Sequence, residues 1–141
     1  MSKPLLMHRL ILAMFSILCL FSNCKKSSDT TSATNILIVG TWELRRNSAG
    51  VATMNFPPGN GNIYKYQANT YEKYTGGLLK KKGTYRIVRE KYQPTGKMMD
   101  RIIYDNDTNA MTVYVFVEND MLSYNVGGYP TGDVYVRIST Q

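Results

Sequence analysis

The chain has 141 residues, 17 Lys and Arg against 10 Asp and Glu, one His and two Cys. That length bounds a single domain with one core. The net charge of +7 comes from scattered basic residues, Lys80-Lys81-Lys82 excepted, and is not the basic face that reads nucleic acid.

The first nine residues, MSKPLLMHR, are basic, and LILAMFSILCLF (10–21) carries no charge. Twelve helical residues span about 18 Å, short of a hydrocarbon core of about 30 Å. The pattern therefore predicts an export signal and not a transmembrane helix. The apolar run closes on FSNC, with Ser22 and Asn23 ahead of Cys24 and Lys25-Lys26 behind it. This stretch resembles the lipobox of bacterial lipoproteins, in the loose form seen in Bacteroidetes. The resemblance implies cleavage before Cys24 and acylation of that cysteine. It further implies an exported protein anchored by lipid to the cell envelope, at the outer membrane rather than the inner. The expected organisation is a signal peptide over 1–23, a lipidated cysteine and Ser/Thr-rich tether over 24–35, and a folded domain over 36–141.

Removing 1–23 also removes His8 and Cys19, leaving 118 residues with 15 Lys and Arg against 10 Asp and Glu. With Cys24 acylated, that remainder holds no His and no free Cys. A Ser-His-Asp triad, a Cys-His pair and a His-ligated metal site are thereby excluded. No cofactor, metal or catalytic residue is predicted, and the fold must stand without a disulfide.

From Ile36 onward the apolar residues repeat every second position, with turn residues between runs. ILIVGTWELRR (36–46) places Ile38, Gly40, Trp42 and Leu44 on one face. NSAG (47–50) reads as a turn and VATMNF (51–56) as a strand. PPGNGN (57–62) is a loop. IYKYQ (63–67) and NTYEKYT (69–75) read as the next strand or pair of strands, and Gly76-Gly77 then breaks the chain. LLKKKGTYRIVRE (78–90) follows, with Gly83 as a candidate bulge. YQPTG turns. MDRIIYD (99–105), MTVYVFVE (111–118), MLSYNV (121–126) and DVYVRIST (133–140) complete the set, separated by NDTNA, Asn119-Asp120 and GGYPTG. In MTVYVFVE, Val113, Val115 and Val117 share the face that suits a core. No stretch carries a helical apolar stripe. The prediction is an all-β fold: about eight antiparallel strands in an up-and-down meander, closed as a barrel because closure removes exposed edges. A two-sheet sandwich is the alternative.

VGTWEL (39–44), on the first strand of a small all-β domain, is similar to the G-x-W opening of lipocalins and their calycin relatives. The resemblance implies that Gly40 allows close chain passage and Trp42 plugs the closed end of the barrel. Arg137, in VYVRI near the last strand, would pack across the indole. Avidins share the GTW opening but have a tryptophan-rich biotin site. Trp42 is the sole tryptophan here, so biotin is not implied.

All eleven tyrosines follow residue 60 and fall on nearly every strand. Each supplies apolar area with a hydroxyl that seeks a partner. Pointed inward, Tyr64, Tyr85, Tyr104, Tyr114 and Tyr124 would line an amphipathic pocket for a small hydrophobic or amphipathic ligand. Pointed outward or packed on one another, they describe a solid module. Its surface, including PPGNGN and VGGYPTG, would bind another envelope protein. The expected partners are therefore a membrane through Cys24, a small ligand, or an envelope protein.

Overall fold

The computed structural model describes residues 33–127 and 132–140. The expected signal peptide, Cys24 and most of the tether lie outside the described residues, as do residues 128–131 of the VGGYPTG loop. A short helix α1 (Ala33–Leu37) takes the end of the expected tether and the first two residues of the expected first strand, which begins only at Gly40, and leads into nine strands. These are β1 (Gly40–Ala49), β2 (Ala52–Asn55), β3 (Ile63–Tyr66), β4 (Thr70–Thr75), β5 (Leu78–Lys91), β6 (Met98–Tyr104), β7 (Val113–Glu118), β8 (Met121–Val126) and β9 (Gly132–Ser139).

Every neighbouring pair from β3 to β9 is antiparallel, and β9 returns to pair with β1. Eight strands thus close a barrel, and the ninth, β2, is an extra strand. The reason lies in β1, whose single edge serves two partners. Gly40–Glu43 pair with β3, and Arg46–Ala49 pair with β2. The expected turn at 47–50 is instead strand as far as Ala49, because β2 on one side and β9 on the other continue its ladder. The β1–β9 register slips at Thr41/Trp42 and at Leu44/Arg46, bulges of the kind that bend a sheet toward closure.

Two-residue reversals join β4 to β5 through Gly76-Gly77 and β7 to β8 through Asn119-Asp120. All four have positive φ, between 50° and 79°. That is the backbone twist a tight antiparallel hairpin requires. The alternation puts Trp42, Leu44, Tyr66, Tyr85, Ile87, Ile102, Val115, Leu122 and Tyr135 into one buried cluster, with Val113 and Val117 packed against it. Gly83 sits in regular register opposite Tyr71, and the irregularity falls opposite Lys73/Tyr74 instead, where Lys80 of β5 is left without a partner in the ladder. Gly83 has a different cause, given below.

One end of the barrel is sealed. Ile38 and Trp42 are fully buried, and the indole Nε1–H donates to the Ile38 carbonyl at 2.7 Å. The other end carries the β4–β5 reversal and the β6–β7 loop.

Candidate functional site

Four of the five tyrosines expected to line a pocket come together inside the barrel: Tyr64, Tyr85, Tyr104 and Tyr124. Tyr66, Tyr71 and Tyr135 join them. Tyr64 stacks on Tyr66 with ring centroids 5.4 Å apart and meets Tyr135 edge-on at 5.5 Å. Tyr71 meets Tyr104 at 4.7 Å and Tyr66 meets Tyr85 at 5.0 Å. Edge-to-face pairs of this kind add about 0.5–1.5 kcal/mol each beyond their burial. The rings fill the barrel's middle themselves.

Six of the seven hydroxyls, all but that of Tyr64, have hydrogen-bond partners among the described residues. The Tyr66 hydroxyl bonds those of Tyr104 and Tyr124, each at 2.5 Å. Tyr85 donates to the Gln67 carbonyl at 2.7 Å. Burial raises the pKa of Tyr66 and Tyr124 well above the ordinary phenol value and pushes Tyr85 up to about 12. Tyr114 does not join this set. It shares the outer face with Arg101, its cross-strand partner, meets Tyr92 edge-on at 5.2 Å, and donates to Glu90 at 3.2 Å. The parity of β7 dictates this, since Val113, Val115 and Val117 take the inner face.

The three residues singled out on the first and last strands meet at the sealed end. Trp42 and Arg137 are register partners, and the guanidinium carbon lies 4.1 Å from the indole centroid. Arg137 also donates to the carbonyls of Leu37 and Val39, each at 2.7 Å, and to Asp120 at 2.9 Å. Gly40 has φ +143°, and a Cβ there would fall 2.6 Å from Arg137 Nη1.

At the opposite end a recess of about 170 Å³ opens between β1, β3, β4 and β9. Leu44, Tyr64 and Tyr135 supply its apolar wall, and Lys73 and Asp133 its charge. Asp133 accepts from Asn47 Nδ2 at 2.6 Å and from the Tyr135 hydroxyl at 3.2 Å. The Lys73 ammonium lies 5.4 Å from the Tyr64 ring centroid. Burial raises the pKa of Tyr64, and the nearby Lys73 charge works against that rise. Lys73 and Asp133 were not among the residues expected at a pocket, whereas Tyr135 belongs to the tyrosines that inward pointing would bring there. Alternation placed them on the inner face, but only the barrel's register puts them at one rim.

Beside this rim Asp105 reaches back over β5. Its carboxylate accepts from the Thr84 backbone N–H at 3.0 Å and from the Tyr71 hydroxyl at 3.1 Å, and pairs with Lys81 at 2.9 Å. A Cβ on Gly83 would fall 1.9 Å from Asp105 Oδ1. The glycine is therefore the space the carboxylate occupies.

A larger groove of about 360 Å³, lined by Lys65, Glu72 and Lys82, lies on the outer face of β3–β5. A third, of about 300 Å³, lies near α1, with Thr34, Arg89, Met98, Asp100 and Phe116 in its walls. Among the described residues no group of three or more His, Cys, Asp or Glu could hold a metal ion, and no helix is long and apolar enough to cross a membrane. No protein family, curated protein or solved structure matches this chain.

Proposed function

We propose that this protein is a lipocalin-like envelope lipoprotein, exported and anchored to the bacterial outer membrane through acylated Cys24. In this reading it is not an enzyme, and it binds a small amphipathic ligand at the open rim of its barrel. The observation that carries ligand binding is the rim recess, where the phenol faces of Tyr64 and Tyr135 and the side chain of Leu44 meet the charges of Lys73 and Asp133. Small-molecule sites combine apolar wall with convergent polar groups, and here the polar groups predominate. The volume limits the occupant. Drug-sized ligands need about 300–1,000 Å³, whereas a cavity of about 150 Å³ holds a benzene ring. The tyrosine rings below the recess leave a long acyl chain no room. The G-x-W opening at Gly40-Thr41-Trp42 and the FSNC stretch support the family and the anchor.

The decisive experiment is native mass spectrometry of the mature protein extracted in detergent from its own cells. A reproducible adduct of small mass supports ligand binding, and a bare mass in repeated preparations removes it. For the anchor, metabolic labelling should place acyl chains on the wild type and not on Cys24→Ala. Equal membrane retention and equal length of the two proteins would refute lipidation.

A second reading, a module that binds another envelope protein, has its own support. Met98 and Phe116 are 51% and 42% exposed and line the groove near α1 beside Arg89. Apolar shelves with a charged rim suit protein partners. Crosslinking in intact cells from a photoreactive residue at position 116 tests it, and no specific adduct would count against it.

A further inference from the structure

Lys73 on β4 and Lys81 on β5 are direct cross-strand partners. Like charges placed so are destabilising unless each is compensated. Lys81 is compensated by Asp105, with the Tyr71 ring 5.8 Å from its ammonium. Among the described residues, Lys73 has no carboxylate within ion-pair distance; its ammonium has the Tyr64 ring for company. Asp133 shows the converse. Its oxygens take hydrogen bonds from Asn47 and Tyr135, both neutral donors, and among the described residues no cation pairs with it. An ionised carboxylate has about four acceptor sites, so capacity remains.

These two opposite charges line one recess of about 170 Å³ without closing on each other. Leu44 and the rings of Tyr64 and Tyr135 give the recess its apolar part, and Asn62 and Thr75 add neutral polar groups. We infer that the rim recess binds a small zwitterion of the amino-acid class. The ligand's acid group takes the Lys73 ammonium, its ammonium takes the Asp133 carboxylate, and its carbon skeleton lies on Leu44, Tyr64 and Tyr135. This inference rests on the rim being the binding site and adds the chemical class of the ligand. A neutral amphiphile leaves both charges unanswered. A simple acid answers Lys73 and sets a second anion beside Asp133, and a simple amine does the reverse.

The test is calorimetry and saturation-transfer NMR on the full mature protein in detergent. The probes are L-leucine, 4-aminobutyrate and 5-aminopentanoate, against N-acetyl-L-leucine and L-leucine methyl ester. At least one zwitterion should bind, and its affinity should fall at least tenfold in Lys73→Gln and in Asp133→Asn. The charge-blocked forms of leucine should bind at least tenfold more weakly than leucine wherever leucine itself binds. Thr75→Trp, an exposed position on the recess wall, should abolish binding without disturbing the core. If Thr75→Trp blocks binding while Lys73→Gln and Asp133→Asn bind as wild type, the rim stands and the zwitterion is wrong. If binding survives Thr75→Trp, the rim itself is wrong. If no zwitterion binds, the inference falls, whatever native mass spectrometry recovers.

Discussion

Arg137 covers Trp42 across the β1–β9 ladder, its guanidinium carbon 4.1 Å from the indole centroid. The same guanidinium bonds two carbonyls of the segment that enters β1, those of Leu37 and Val39. One side chain therefore covers the plug, ties down the entering chain and joins the first barrel strand to the last.

Replacing Arg137 should accordingly cost more than one contact. Arg137→Ala strands two carbonyls and removes a cation–π contact, for a loss of about 2–4 kcal/mol in urea unfolding. Arg137→Lys keeps the charge but not the planar fork, and should recover less than half of that loss. Equal stability of all three proteins would show that the clamp contributes nothing.

Gly40 and Gly83 should both resist substitution, for different reasons. Gly40→Ala meets Arg137 Nη1 at 2.6 Å and the Ser139 carbonyl at 3.0 Å, in a backbone conformation that L-residues avoid. A loss of about 1–3 kcal/mol is expected. Gly83→Ala displaces the Asp105 carboxylate and should cost about 1–2 kcal/mol. In an Asp105→Ala background that cost should shrink to less than half, because the obstructing group is gone. Additivity of the two changes would refute this account of Gly83.

Glu43 organises the PPGNGN loop. It is 3% exposed and accepts from the backbone N–H groups of Gly59 and Gly61 and from Arg45. Burial alone would raise its pKa. The bond from Arg45 and the two backbone donors outweigh burial and hold it below the ordinary carboxylate value. A depressed folded pKa gives stability that is present above the unfolded pKa, about 4.3, and is lost as pH falls through the folded value. The urea midpoint should thus drop between pH 5 and pH 3 in the wild type and drop less in Glu43→Gln. Parallel curves for the two would remove Glu43 from the acid response.

The interior phenols make the opposite prediction at high pH. Burial raises the pKa of Tyr64, Tyr66, Tyr71, Tyr85, Tyr104, Tyr124 and Tyr135. Their neutral forms favour the folded state. The stability they contribute is intact below the unfolded pKa, about 10, and declines above it as the unfolded chain ionises. Phenolate absorbance at pH 11 should report only a minority of the eleven tyrosines while circular dichroism stays native. The remainder should ionise together with unfolding. Seven or more phenolates in a folded barrel would contradict the buried arrangement.

Much of this fold was legible because alternation is local. Trp42, Leu44 and the valines of β7 announced their faces through period two alone, and the positive-φ pair at Asn119-Asp120 was marked by its composition. What stayed hidden depends on residues far apart in the chain. Gly83 looked like a bulge because its real neighbour, the Asp105 carboxylate, is 22 residues away. VATMNF was legible as a strand, but that β1 runs on to Ala49, holding β2 and β3 along one edge and β9 on the other, depends on pairings distant in the chain. Tyr114 carries the same side chain as Tyr124, yet only parity against the valines separates outer from inner. The rim recess was least legible of all, since Lys73 and Asp133 are separated by most of the barrel's sequence.

The lateral partners of β1 set a timing rule for acquiring this structure. β1 is the first barrel strand in the chain, and its longest ladder is with the last, pairing Ser48 with Gly132 and Thr41 with Ser139. Such long-range pairing makes folding slow. Until the final eight-residue strand emerges, one full side of β1 has unpaired backbone groups, and Trp42 has no arginine above it. A nascent chain short of residue 137 therefore lacks the pairing that closes the barrel.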